Sequence, residues 1–209
     1  MDDTGLITPW RDPFYATLFE KASLRISPER AYALIQAAQS CLELDGDWAE
    51  LGVYKGSTAY LLADLLERSG STKRLFLFDT FCGTPRESDQ DNMKREGMYA
   101  DVSCDSVRAY LSRFEHRLKY VVGLIPETFD ALQERRFSFL HIHLNLYRST
   151  RDALESLFPC LSQSGVVVIE DYGLHTCAGS KLAADAFFKR GNTRIIHLPT
   201  GQGVAFKSD

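Results

Sequence analysis

Apolar strand-like segments alternate along this chain with amphipathic helical ones, and that alternation limits what it can fold into more than any single motif does. The segments 46–51, 74–78, 118–122, 137–144 and 166–169 are continuously apolar, as strands covered on both faces are. Between them, 28–44, 57–69, 103–114, 126–134, 150–159 and 179–189 read as helices, several opened by a Ser, Thr or Pro start signal. Strand and helix in turn predict βαβ units and a parallel sheet, the α/β class. After the last helix, 194–198 and 204–207 flank Pro199-Thr200-Gly201-Gln202-Gly203 and read as a hairpin. A seven-stranded, mostly parallel sheet that ends antiparallel is therefore expected.

At 209 residues the chain suits one domain. Residues 1–45 precede the first strand and are expected to form a helical cap or lid over the strand ends, with 46–209 as the main compact unit. A hydrophobic fraction of 44% and a charged fraction of 25% belong to a chain that folds throughout. The net charge of -4 argues against a phosphate-neutralising surface, so nucleic acid is not an expected partner. Apolar runs such as Val166-Val167-Val168-Ile169 are far too short to span a membrane. Met1-Asp2-Asp3 is acidic where a secretory leader is basic, and the expected location is the cytoplasm. Cys41, Cys82, Cys104, Cys160 and Cys177 lack the paired short spacings of zinc sites or disulfide frameworks and are read as free thiols, none a nucleophile. A homo-oligomer is left open.

In Glu50-Leu51-Gly52-Val53-Tyr54-Lys55-Gly56-Ser57-Thr58 a strand ends on an acid and passes through two glycines into a helix opened by hydroxyl residues. Gly52 and Gly56 let backbone approach a ligand with no Cβ in the way, and the helix N-terminus offers free N–H groups to a carboxylate such as that of methionine. The next strand runs to Asp79, where a second-strand acid in nucleoside-binding α/β folds accepts ribose hydroxyls. A dinucleotide site needs the tighter G-x-G-x-x-G, and a nucleotide triphosphatase needs G-x-x-x-x-G-K-[ST]. Neither is present, which disfavours a nicotinamide-dependent oxidoreductase and a triphosphatase.

With these acids, Phe78-Asp79-Thr80-Phe81-Cys82-Gly83-Thr84-Pro85 and the segment 141–173, the sequence resembles the macrocin O-methyltransferase family over most of its length. Four places carry the resemblance: the glycine loop at 50–58, a D-[ST]-F-x-G-x-P segment at 79–85, a D-x-D-L-Y-x-S-T segment at 143–150 and a D-D-Y-G segment at 170–173. The last two read His143-Leu144-Asn145-Leu146-Tyr147-Arg148-Ser149-Thr150 and Glu170-Asp171-Tyr172-Gly173. The resemblance implies a Rossmann-like class I methyltransferase fold, S-adenosylmethionine as cofactor, and methyl transfer to a hydroxyl or amine of a small natural product. Glu50, Gly52, Tyr54, Gly56, Ser57, Thr58, Asp79, Thr80, Phe81, Ser103 and Gly123 are the candidate cofactor residues, Gly123 bordering adenine. Ser103, with Asp105, also stands where it would cap a helix.

In that family the first acid of D-x-D and both acids of D-D-Y-G hold magnesium, and the second acid of D-x-D is the proposed base. The counterparts here are His143, then Glu170 with Asp171, and Asn145. His143, Glu170 and Asp171 are thus the candidate divalent-metal set. An imidazole suits magnesium poorly and suits iron, manganese, cobalt or zinc better. Asn145 takes no proton at neutral pH, so His143 becomes the candidate base, and His143, Asn145 and Asp171 the candidate catalytic set. Residues i and i+2 of a strand share a face, which predicts His141, His143 and Asn145 on one side, with His141 a packed, hydrogen-bonded histidine. Tyr147 and Tyr172 are expected as aromatics at loop mouths, and the polar, aperiodic 86–101 as a substrate lid. The altered acids also leave a second function, a protein that binds the cofactor, has lost methyl transfer, and only binds or catalyses another reaction such as a cyclisation.

Overall fold

A single seven-stranded sheet runs through the computed structural model, which describes residues 7–86, 89–91, 96–132, 135–191 and 193–208. Its strands are β1 Asp47–Leu51, β2 Leu75–Asp79, β3 Leu118–Val122, β4 Phe137–Ile142, β5 Leu161–Ile169, β6 Ile195–His197 and β7 Gly203–Phe206. The spatial order is β3-β2-β1-β4-β5-β7-β6. Strands β1 to β5 pair in parallel, and β7 lies antiparallel between β5 and β6. The order reverses at β1, with β2 on one side and β4 on the other, and in open α/β sheets ligands bind beyond the carboxyl ends at such a switch point.

The helices among the described residues are α1 Pro13–Lys21, α2 Pro28–Gln39, α3 Ser57–Arg68, α4 Cys104–Tyr110, α5 Tyr147–Leu157 and α6 Ala178–Arg190. Alternate strand residues face opposite ways, and the core divides accordingly. Trp48, Leu75, Leu77, Phe139 and Val168 pack with α1, α2 and α3 on one face. Ala49, Phe76, Phe78, Leu140 and Val167 pack with α5 and α6 on the other. Burial of each large apolar side chain stabilises by about 1.5–3 kcal/mol, so both faces contribute to holding the strand ends in register.

Helix α2 matters most for the site. Ser27 caps it, its hydroxyl accepting from Arg30 N at 3.4 Å, and Pro28 pre-sets the first turn. Ala31, Leu34, Ile35 and Ala38 form its buried stripe, which joins the core beside α3. That anchoring brings Arg25, Ile26 and Arg30 to the strand ends.

Several expected boundaries move. The helix at 28–44 stops at Gln39, and 103–114 divides into α4 and a 3-10 turn at Ser112–Arg117. Residues 126–132 give a 3-10 turn at Glu127–Leu132, while 133–134 lie outside the described residues. Helix α5 starts earlier than expected, at Tyr147, whose N–H finds a cap in Asp91 Oδ1 at 2.9 Å. Helix α1 has a local start signal that periodicity alone does not single out, Asp12 Oδ1 accepting from Phe14 N at 2.8 Å ahead of Pro13. Strand β5 begins at Leu161, and β4 ends at Ile142 rather than 144. All five cysteines are free, and no helix among the described residues is long and apolar enough to cross a membrane.

Candidate active site

A cavity of about 490 Å³ opens beyond the carboxyl ends of all five parallel strands. Gly52 follows β1, Asp79 ends β2, Gly123 follows β3, His143 follows β4 and Asp171 follows β5, and each lines it. The volume is that of a pocket for a drug-sized ligand.

On the β1–β3 side the wall is organised by Asp79. Its Oδ2 accepts from Val53 N at 2.7 Å and Tyr54 N at 2.8 Å, and its Oδ1 accepts from Phe81 N at 2.8 Å. A carboxylate offers about four acceptor positions, so roughly one remains for a ligand hydroxyl. The adjoining wall is apolar: Phe78, Leu124 and Ile125. Gly52 has φ 88°, and a Cβ there would lie 2.2 Å from the carbonyl oxygen of His143. Its glycine is therefore demanded by the contact between the ends of β1 and β4, before any ligand is considered.

Of the candidate cofactor residues, Gly52, Tyr54, Asp79, Thr80 and Gly123 line the cavity, whereas Glu50, Gly56, Ser57, Thr58, Phe81 and Ser103 do not. Gly56 is the left-handed cap of α3, and Phe81 packs in the core. Ser57 and Thr58 are buried in the first turn of α3, where the Thr58 hydroxyl donates to Glu50. Ser103 forms a capping box with Ser106, accepting from Ser106 N at 3.2 Å while Ser106 Oγ accepts from Ser103 N at 3.1 Å.

On the β4–β5 side the wall is organised by charge. His141 is fully buried in β4, opposite Glu50 of β1, with Nδ1 3.2 Å from Glu50 Oε1 and Nε2 3.1 Å from Glu170 Oε2. Burial alone would depress this imidazole, but its two carboxyl partners outweigh that and hold it up at about 9. Burial likewise works against ionised Glu170, and the His141 hydrogen bond and charge reverse it, keeping the carboxyl below its usual range. Asp171 is also pulled down, against burial, by His143 and then by Arg30. His143 Nε2 lies 3.2 Å from Asp171 Oδ2. Arg30 reaches across from α2, with Nε 2.8 Å from Glu170 Oε1 and Nη2 2.5 Å from Asp171 Oδ1. Gln202, in the turn before β7, donates to Glu170 Oε2 at 2.9 Å and to the Arg30 carbonyl at 3.1 Å.

The predicted alternation of His141, His143 and Asn145 stops where β4 stops. His141 points into the protein, while His143, Leu144 and Asn145 all line the cavity, and Asn145 adopts a left-handed φ of 64°. The turn exposes consecutive residues that a strand would have separated. Asn145 Oδ1 is buried without a hydrogen-bond partner among the described residues.

As arranged among the described residues, His143, Glu170 and Asp171 do not fit a metal ion. Among the described residues no three His, Cys, Asp or Glu side chains are arranged to hold an ion. His143 and Arg30 take the oxygens of Asp171, and Arg30, His141 and Gln202 those of Glu170, at 2.5–3.2 Å. Magnesium needs oxygen ligands at about 2.1 Å in an octahedron, whereas nitrogen groups stand against both oxygens of Asp171 and against Glu170, whose Oε1 is in ion-pair contact with Arg30 but makes no hydrogen bond. Glu170, moreover, is wholly buried and absent from the cavity wall.

At the mouth, Tyr54 Oη donates to Asp101 Oδ1 at 2.8 Å, Lys55 Nζ lies 2.5 Å from Asp101 Oδ2, and Tyr99 stands edge-on to Tyr54 with centroids 5.1 Å apart. Of the expected lid at 86–101, residues 87–88 and 92–95 lie outside the described residues. Tyr172 donates to Asp185 at 2.5 Å, away from the cavity wall, and Tyr147 opens α5. Sequence reasoning missed Arg25, Arg30, Ser149 and Leu174 of the wall. For Arg30 a signal existed: a cation in the first turn of a helix opposes the macrodipole and calls for an acidic partner.

Residues 26–197 match the model of the macrocin O-methyltransferase family. The chain is 31% identical over 157 residues to the 8-demethyl-8-(2,3-dimethoxy-alpha-L-rhamnosyl)-tetracenomycin-C 4'-O-methyltransferase of Streptomyces olivaceus, covering 66% of this chain and 60% of that protein. It therefore spans less than two thirds of that relative's length. It is 24% identical over 171 residues to the mycinamicin III 3''-O-methyltransferase of Micromonospora griseorubida, covering 75% of this chain and 67% of that one. Among solved structures, the O-methyltransferase NovP superposes with a TM-score of 0.77 at 21% identity, over 88% of this chain and 81% of its own. The calicheamicin methyltransferase CalS11 gives 0.74 at 18%, over 100% and 98%. These likenesses confirm the Rossmann-like class I methyltransferase fold, seven strands ending in an antiparallel hairpin, and with the family match they lead to one assignment: the chain belongs to the macrocin O-methyltransferase family.

Proposed function

We propose that this chain binds S-adenosylmethionine and transfers its methyl group to a hydroxyl of a small natural-product acceptor, a deoxysugar in the first instance. The supporting observation is one cavity that joins an acid-anchored glycine loop to a histidine–carboxylate pair on the opposite wall. When bound, the cofactor would supply an electrophilic methyl group on a sulfonium, with the sulfur as leaving group for an incoming oxygen. The free acceptor position of Asp79 suits a ribose hydroxyl, and Phe78, Gly123, Leu124 and Ile125 offer adenine an apolar slot.

On the acceptor side, Nε2 of His143 is engaged by Asp171, which leaves Nδ1 as the nitrogen able to take the acceptor's proton. Asp171 then faces the imidazolium that forms and stabilises it, as the carboxylate of a catalytic triad does. Asn145 Oδ1 is left to accept a hydrogen bond from a second, neighbouring hydroxyl of the acceptor and so orient the sugar, which gives a buried, unpartnered carbonyl a reason to be there.

The test is methyl transfer from isotopically labelled S-adenosylmethionine to a panel of aglycone-linked and nucleotide-linked deoxysugars, read by mass spectrometry. Labelled product on a sugar hydroxyl is the expected result. Cofactor binding with no labelled product across the panel would favour the binding-only reading instead, which Asn145 in place of an acid and the pairing of both acids with Arg30 support.

A further inference from the structure

Where magnesium does not fit, a side-chain cation already stands. We propose that Arg30 is the resident cation of this active site, holding Asp171 and through it His143, so that transfer proceeds without a divalent metal. The inference rests on the methyl-transfer reading above.

Three observations carry it. The guanidinium lies against both acids: Nη2 donates to Asp171 Oδ1 and to the Glu170 carbonyl oxygen, while Nε meets Glu170 Oε1 at 2.8 Å as an ion pair that is not a hydrogen bond. A planar fork reaches several acceptors from one side chain, which a lysine ammonium on a flexible stem does not reproduce. Second, the position is built. The α2 stripe is locked in the core, and Gln202, in the turn before β7, ties the Arg30 carbonyl to Glu170. The Arg30 side chain is only 15% exposed. Third, Arg30 lines the same cavity as His143 and Asn145, and the Asp171 carboxyl it grips by one oxygen holds His143 by the other. Arg30 is in these terms a positioning residue: it fixes the carboxyl that orients the base, and it neutralises two acids that would otherwise repel one another or draw in a metal.

The test compares the wild-type chain with Arg30→Ala and Arg30→Lys by Mn²⁺ titration read by electron paramagnetic resonance, calorimetry with S-adenosylhomocysteine, and turnover. The wild type should bind no stoichiometric Mn²⁺ and keep its turnover in chelator. Arg30→Ala should gain one Mn²⁺ site at Glu170 and Asp171 and lose roughly 10–100-fold in kcat, the scale of losing an orienting partner, with unchanged affinity for S-adenosylhomocysteine. Added guanidinium ion should restore part of the lost kcat, a rescue that a merely structural role would not show. Arg30→Lys should keep the charge, gain no Mn²⁺ site and recover only part of the rate. A wild-type chain that binds one Mn²⁺ and loses turnover to chelator would overturn the inference, as would Arg30→Ala turning over within twofold of wild type. Should Arg30→Ala fail to fold, the wild-type titration and Arg30→Lys decide the matter. Absence of S-adenosylhomocysteine binding by the wild type would instead remove the methyl-transfer reading itself.

Discussion

Along β1, β2 and β3 the cavity wall is held by backbone: Asp79 gathers three N–H groups, Gly52 and Gly56 take left-handed conformations, and Ser103 closes a nearby helix. Along β4 and β5 it is held by charged and polar side chains from residues 30, 50, 141, 143, 170, 171 and 202. The first arrangement is local and depends little on protonation near neutrality. The second is assembled from the whole chain and depends on which groups carry protons. A cofactor common to many enzymes is thus assigned to the local half, and the chemistry particular to this one to the long-range half.

The largest expected break between the halves comes from His143→Ala. Loss of a base should lower kcat about 10²–10⁴-fold while leaving S-adenosylmethionine affinity alone, because the lost interaction exists only in the transition state. Single-turnover rates and calorimetry on the same variant separate the two effects, and a variant with near-wild-type kcat on the identified acceptor would move the base elsewhere.

Next in size is a pH effect on stability. His141 is held at about 9 in the fold, above the ordinary imidazole value of about 6.5. Its pairing with Glu50 and Glu170 therefore stabilises fully below pH of about 6.5 and is lost as pH climbs through about 9, a change on the order of 3 kcal/mol. Urea unfolding of wild type and His141→Gln should show the gap between them narrowing by about that much from pH 6 to pH 10. A constant gap would mean that the imidazole is neutral throughout.

Smaller effects distinguish two residues that the sequence groups together. Asp79→Asn should weaken S-adenosylmethionine binding by roughly 1.5–3 kcal/mol, since it removes a charge-assisted contact and loosens the loop at 53–54. Ser103→Ala should cost about 1 kcal/mol of stability through its lost cap and change cofactor affinity little. Equal losses of affinity in both variants would return Ser103 to the cofactor wall.

The same contrast explains how far the sequence could be read. Asp79 and the glycine loop are legible because a strand end, a short spacing and a helix start lie within one local stretch. The class follows from periodicity, and β3 is recovered at its expected bounds because both of its ends are punctuated locally. Arg30 pairs with residues some 140 positions away, so its first-turn position signals an acidic partner without saying which, and Gln202, bridging 172, leaves no local pattern. Glu50 reads as a cofactor acid from its place before Gly52, yet it turns inward because His141, its cross-strand partner, is equally buried. His143 and Asn145 share the cavity through a turn rather than by strand alternation, because the ladder ends at Ile142 and a left-handed residue redirects the chain.

The central claim, that the cavity is a S-adenosylmethionine site, is tested most directly by calorimetric titration of the wild-type chain with S-adenosylmethionine, S-adenosylhomocysteine and a nicotinamide dinucleotide. One site of micromolar affinity for both sulfur compounds and no heat from the dinucleotide is the predicted outcome. Silence with both sulfur compounds, above all with a dinucleotide bound in their place, would contradict it.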